Sequence, residues 1–137
     1  MTPSAVDRLA HAFNSADPGA LRQVYAPSAR LVHVFFPAPL EGIDSILAAE
    51  TPMFAAFSDI EWTSTETVEG PGRIAVEYTV KATNTGSMPT PEGALPPTGR
   101  RIEIRGFSLL KVDEYGMVTE ERRYFDTASM FRQLGLA

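Results

Sequence analysis

Residues 100–135 read RRIEIRGFSLLKVDEYGMVTEERRYFDTASMFRQLG. Two strand-like runs, Arg100 to Val112 and Met117 to Asp126, flank Glu114-Tyr115-Gly116. A three-residue hairpin loop with glycine in the left-handed position fits this spacing. The register then pairs Asp113 with Met117, Val112 with Val118, Ser108 with Arg122, Gly106 with Tyr124 and Ile104 with Asp126. It turns Glu120, Arg122 and Tyr124 inward. Phe107, Leu109, Met117 and Phe125 turn outward among Arg101, Glu103, Arg105, Glu121 and Arg123. A loop shorter by one residue exchanges the faces, because side chains alternate with period two. After Asp126, Met130, Phe131 and Leu134 recur at helical spacing, and Gly135 is the C-cap.

Working outward, Asn84 to Gly99 holds four prolines and three glycines, too many for a strand or helix. Such a loop inside a compact domain is usually functional or mobile. Met88 and Leu95 give it two apolar side chains that can dip into a cavity, so the segment is expected to act as a flap. Upstream, Ile60, Trp62, Ser64, Glu66 and Val68 alternate on one strand face. Ile74, Val76, Tyr78, Val80 and Ala82 alternate on the next. Pairing Glu69 with Arg73 across Gly70-Pro71-Gly72 sets Trp62 opposite Val80, Ser64 opposite Tyr78 and Glu66 opposite Val76.

In the N-terminal third, Val6, Leu9, Ala10 and Phe13 mark one helical face from about Ser4 to Asn14, with Ser4 and Asp7 as a capping box. Asp17-Pro18 opens a second helix, striped by Leu21, Val24 and Tyr25 and ended by Pro27. Leu31 to Phe36 reads as a strand; periodicity does not say which of its faces points inward. Gly42 opens a third helix that Pro52 should break or kink. The order is α-α-β-α-β-β-β-β plus a terminal helical turn, an α+β layout in which a curved, mainly antiparallel sheet wraps around the early helices.

Composition narrows the function. A chain of 137 residues is one domain of the usual ~100–200 residues. With 44% apolar and 21% charged residues it can build an ordinary core. It has no cysteine, so disulfides, thiolate nucleophiles and Fe–S clusters are excluded. Two histidines and no HExxH motif argue against a metal site. A net charge of −5 makes nucleic acid a poor partner. No basic start followed by an apolar run, and no stretch of ~20 apolar residues, points to secretion or the membrane, so a cytoplasmic protein is expected.

The segment order, the ending from Glu120 to Gly135 and the Pro97-Thr98-Gly99-Arg100 opening of the penultimate strand together resemble the SnoaL-like polyketide cyclases of the NTF2-like, ketosteroid isomerase-like superfamily. The resemblance covers nearly the whole chain. It implies a cone-shaped α+β roll with no metal or organic cofactor. In such cyclases an aspartate closing the last strand is the general acid/base of an aldol ring closure, and Asp126 matches that position. The superfamily also resembles isomerases, limonene-type epoxide hydrolases and members that only bind.

The site expected from these readings has Asp126, His33 and Tyr124 as proton-transfer groups. Trp62, Glu66, Tyr78, Ser108 and Arg122 would contact a small hydrophobic substrate. A carboxyl among apolar neighbours has its pKa raised, which suits proton transfer, whereas Asp126 before a helical turn equally fits an N-cap. His33 can hold or pass a proton, or simply sit hydrogen-bonded in the core. With Glu66, Glu120 and Arg122 facing inward, Arg122 would hold a substrate carboxylate or enolate and Glu66 would add a second carboxyl, or Arg122 would pair with Glu120 or Glu66 at the rim. The outward apolar cluster suggests a homodimer through the sheet. The leading expectation is acid/base chemistry on a hydrophobic carbonyl compound, by cyclisation or isomerisation. Epoxide hydrolysis and non-catalytic binding are the alternatives.

Overall fold

The computed structural model describes residues 4–90 and 92–136. Helix α1 (Ala5–Asn14) begins at the expected capping box between Ser4 and Asp7. A short 3-10 helix, Pro18–Gln23, follows with Asp17 as its N-cap. The strand after it starts earlier than the sequence suggests: β1 runs Tyr25–His33. Pro27 falls in a stretch where the ladder is irregular, so its missing N–H breaks no rung. A two-residue strand β2 (Leu40–Glu41) then leads into α2 (Ile43–Ala56). Pro52 lies inside α2 without ending it. The helix is held by burial of Ile43, Ile46 and Phe54, which outweighs the lost backbone bond.

Strands β3 (Phe57–Gly70), β4 (Arg73–Asn84), β7 (Arg101–Val112) and β8 (Val118–Phe125) complete a six-stranded sheet in the order β2-β1-β8-β7-β4-β3. β1 lies parallel to β8; the other neighbours are antiparallel. α1 packs against β3 and α2 against β1, with Leu9, Leu21, Leu31, Ile46, Val76 and Leu110 in the core between layers. Asn14 ties α1 to β3 like a surrogate strand: its amide donates to the Trp62 carbonyl at 3.1 Å and its Oδ1 accepts from the Trp62 N–H at 2.6 Å.

Two bulges change the expected faces. In the β3–β4 pair, Trp62↔Val80 and Ser64↔Tyr78 match the expectation, but the next rungs are Glu66↔Glu77 and Thr67↔Val76. Thr65 is the extra residue, and Glu66 is exposed on the outer face rather than the inner one. In β7–β8 the hairpin turn matches. The Asp113 N–H bonds to the Met117 carbonyl, and Gly116 takes φ +78°. After Val112↔Val118, Thr119 is extra, so Lys111 pairs with Glu120, Ser108 with Arg123 and Gly106 with Phe125. One inserted residue flips every side chain beyond it. Glu121, Arg123 and Phe125 therefore face the interior, while Arg122 and Tyr124 lie exposed outside. Phe125 is thereby removed from the expected outward apolar cluster, which retains Phe107 and gains Tyr124.

β8 stops at Phe125, and the side chain of Gln133 takes the place of further rungs. It accepts from the Glu103 N–H at 2.7 Å and donates to the Glu103 carbonyl at 3.0 Å. Helix α3 (Thr127–Gln133) supplies that glutamine and buries Met130, with Leu134 just beyond it. The stretch between β4 and β7 is not structureless. It forms a small hairpin of β5 (Met88–Thr90) and β6 (Gly93–Leu95), with Met88 buried as expected and Pro91 outside the described residues. Buried Asn84 clamps the segment at both ends. Its Nδ2 donates to the carbonyls of Ala56 and Gly86, each at 3.0 Å. Its Oδ1 accepts from the N–H and hydroxyl of Thr98, at 2.8 and 3.0 Å.

Candidate active site

The concave side of the sheet encloses an inner cavity of about 100 Å³ beneath a wider mouth of about 760 Å³. His33, Phe35, Glu50 and Met53 line both. The inner walls are largely aromatic. Trp62 stacks on Tyr78 with ring centres 4.7 Å apart, Phe13 meets Phe54 edge-on at 5.1 Å, and Phe35 meets Phe125 edge-on at 5.2 Å. Gly106 lets the Tyr78 ring lie flat on β7, since a Cβ there would collide with it. The mouth is closed on one side by Met88 and Leu95 of the small hairpin and by Phe131 of α3.

Against the inner cavity lies a buried polar cluster that the expected registers miss. Arg123 donates through Nε to Glu121 at 2.9 Å, through Nη1 to Glu50, and through Nη2 to the Tyr25 hydroxyl at 3.2 Å. Glu121 also accepts from the Tyr25 hydroxyl at 2.5 Å and the Ser108 hydroxyl at 2.8 Å. Because the Ser108 proton goes to Glu121, the Tyr78 hydroxyl is the donor in its 3.1 Å bond with Ser108. Arg123 also sits 5.4 Å from the centre of the Phe13 ring.

These contacts set the protonation states. Burial disfavours the Glu121 carboxylate, but the Arg123 charge and the hydrogen bonds from Arg123, Tyr25 and Ser108 outweigh it and hold the pKa below the ordinary carboxylate range. Burial likewise disfavours the charged guanidinium, and Glu121 and Glu50 overcome it, so Arg123 stays positive. Burial, with Glu121 beside it, keeps the Tyr25 phenol protonated, and burial lifts Tyr78 to about 12. His33 is pushed down to about 3 by burial and by Arg123, so it is neutral at physiological pH. Its Nδ1 accepts from the Phe35 N–H at 3.1 Å, which puts the proton on Nε2.

Among the side chains lining the inner cavity, two polar atoms besides the Trp62 indole N–H are left without a protein partner among the described residues. They are Nε2 of His33 and Oε2 of Glu50, whose Oε1 alone is engaged by Arg123. A neutral N–H donor and a carboxylate oxygen thus share an apolar, aromatic-walled space. No three His, Asp or Glu side chains among the described residues converge as a metal-holding group.

The expected site residues divide. His33, Trp62 and Tyr78 line the cavity, and Ser108 lies buried behind Tyr78. Glu66, Arg122 and Tyr124 are outside it, on the wrong side of the two bulges. Arg122 is an exposed partner of Glu120, 3.7 Å away. Asp126 is also exposed and outside the cavity walls. Its Oδ1 accepts from the Ser129 N–H at 3.0 Å, the geometry of an N-cap on α3. The groups that sequence reasoning missed are Glu50, Glu121, Arg123 and Tyr25. Glu50 had a signal: it stands on the α2 stripe with Ile43, Ile46 and Phe54, where a lone glutamate must be buried. Glu121 and Arg123 had none, because Glu120 and Arg122 offer the same pattern on the other face.

The sheet wrapped around its helices, with a pocket opening at one end, is the NTF2-like roll. The sequence matches the model of the SnoaL-like polyketide cyclase family over residues 4–134, and the chain belongs to that family. No protein of curated function matches it. Among solved structures it is similar to TsrD from Streptomyces laurentii, with 22% identity, a TM-score of 0.82 and coverage of 97% of this chain and 93% of that one. Wild-type IdmH from Streptomyces antibioticus is 27% identical, with a TM-score of 0.76 and 96% of each chain covered. An LEH-like epoxide hydrolase from M. tuberculosis shares 18% identity and a TM-score of 0.71 over 95% of this chain and 86% of that one. No helix among the described residues is long and apolar enough to cross a membrane.

Proposed function

We propose that the protein is a cofactor-independent enzyme that moves a proton on a hydrophobic carbonyl compound, with Glu50 rather than Asp126 as the base. The observation that carries this reading is the pairing in one apolar cavity of an unpartnered Glu50 oxygen with the unpartnered N–H of a neutral His33. Glu50 Oε2 removes a proton from the carbon next to the carbonyl. The enolate oxygen then accepts a hydrogen bond from His33 Nε2, a neutral imidazole acting as donor. Returning the proton from Glu50 to another carbon isomerises the substrate. Attack of the enolate carbon on a second carbonyl closes a ring, with the proton passing to the new alkoxide. The family of polyketide cyclases supports the second outcome.

Epoxide hydrolysis has one observation in its favour: Arg123 stands between two carboxylates, Glu50 and Glu121. That reaction also needs a proton donor for the opening ring, and Glu121 is held ionised with both oxygens already occupied. Proton transfer through Glu50 and His33 makes no such demand.

The test follows exchange of α-hydrogens for deuterium in decalone by proton NMR in D2O, which reads enolisation without knowledge of the natural substrate. Wild-type protein should accelerate exchange. Glu50→Gln should lower the rate by roughly 10²–10⁴-fold, and Asp126→Asn should leave it unchanged. No acceleration over buffer, wild-type exchange by Glu50→Gln, or loss of exchange in Asp126→Asn overturns the proposal. Incorporation of heavy oxygen from water into the diol of limonene oxide would favour epoxide hydrolysis instead.

A further inference from the structure

The charge of the cavity says what kind of ligand it accepts. Its lining carries two carboxylates, Glu50 and Glu121, and one guanidinium, Arg123. Glu121 is neutralised by its own bonds to Arg123, Tyr25 and Ser108. Glu50 shares the same arginine through one oxygen only, so its second oxygen presents the excess negative charge to the cavity. Arg123 is a poor anchor for a further anion, since its single charge is already shared between Glu50 and Glu121 and four of its five N–H groups donate to Glu121, Glu50 and Tyr25. His33 adds no positive charge. Among the described residues, the charged side chain that lines the mouth besides Glu50 is another acid, Glu92, and no lysine or arginine lines it.

Around this negative point stand the rings of Phe13, Phe35, Phe54, Trp62, Tyr78 and Phe125. Aromatic faces attract cations, most strongly where water is excluded. The protein already places one of its own cations, Arg123, against Phe13. A carboxylate ligand would meet Glu50 with no unpaired cation beside it to offset the repulsion. An organic ammonium group would meet one unpaired carboxylate oxygen and an aromatic wall. Alkylated ammonium is also weakly hydrated, so entering an apolar space costs it less than it costs a compact ion.

We infer that the inner cavity is a site for an organic ammonium group, set against Glu50 within the aromatic wall, and that it rejects carboxylates of the same shape. The substrate class this implies is a carbonyl compound bearing a basic nitrogen and no free acid. The inference rests on the position of Glu50 in the site proposed above and not on the reaction assigned to it.

Three isosteric probes test it by calorimetry or ligand-observed NMR on the intact protein: choline, its uncharged carbon isostere dimethylbutanol, and the anion dimethylbutanoate. Choline should bind roughly 3- to 30-fold more tightly than dimethylbutanol. The anion should bind more weakly than either. Glu50→Gln should erase the advantage of choline and leave dimethylbutanol binding in place. Equal affinity of choline and dimethylbutanol, tighter binding of the anion, failure of all three to bind, or a choline preference that survives Glu50→Gln overturns the inference. The wild-type ranking needs no variant, so a folding defect in Glu50→Gln does not decide the outcome. Selectivity for choline without deuterium exchange in decalone would sink the proposed reaction alone. Exchange without that selectivity would sink this inference alone.

Discussion

Replacing Arg123 with methionine removes the one cation of the buried cluster while nearly preserving its volume. The arginine side chain is 7% exposed and bonds two carboxylates whose side chains are 5% and 1% exposed. Removing one partner of such a buried set leaves uncompensated charge and costs about 3–5 kcal/mol. In a domain of this size that lowers the melting temperature by roughly 10–20 °C. The pH dependence is the sharper reading. In the wild type the folded Glu121 pKa lies below its ordinary 4.5. Between those two values the unfolded chain binds a proton that the folded chain refuses, so stability falls as pH drops through that window. Without Arg123, burial and the neighbouring Glu50 charge outweigh the remaining bonds from Tyr25 and Ser108, and the folded pKa rises above the ordinary value. The folded variant then binds the extra proton, and its stability increases as pH falls from neutrality toward 4.5. Urea unfolding of both proteins at a series of pH values measures the two slopes. A loss below about 1 kcal/mol at neutral pH, where 3–5 is typical of a broken buried pair, or parallel pH profiles, would refute the account of a cluster held together by Arg123.

Two further outcomes are expected. Asn84→Ala removes four hydrogen bonds that clamp both ends of the segment after β4, so amide exchange over residues 85–99 should speed up. Stability should fall by about 1–3 kcal/mol, and unchanged exchange would mean the segment is held elsewhere. The His33 ring should titrate at about pH 3 in NMR spectra of the folded protein, against an ordinary 6.5. The unfolded chain takes up this proton first, so His33 should lower stability as pH falls from 6.5 toward 3.

Local chemistry was legible in the sequence wherever one residue type leaves one choice. The capping box at Ser4 and Asp7, the left-handed Gly116 turn, the Gly42 helix start and the alternation through Trp62 and Tyr78 all stand where the spacing puts them. The ending around Asp126 and Gln133 was legible as a family motif, and the structure gives its physical content. Asp126 caps α3, and Gln133 stands in for a strand. The site itself was only partly legible. In Glu120-Glu121-Arg122-Arg123 each face receives one acid and one base, so alternation is silent on which pair is buried. One extra residue, Thr119, settled it by shifting the ladder of β7 and β8. Thr65 did the same for Glu66. A bulge is a tertiary compromise between the curvature of the sheet and the packing on its concave side, and a run of β-forming residues carries no mark of it. The burial of Glu50 likewise depends on where α2 crosses the sheet, because a carboxylate tolerates that position only when Arg123 arrives from β8 to meet it.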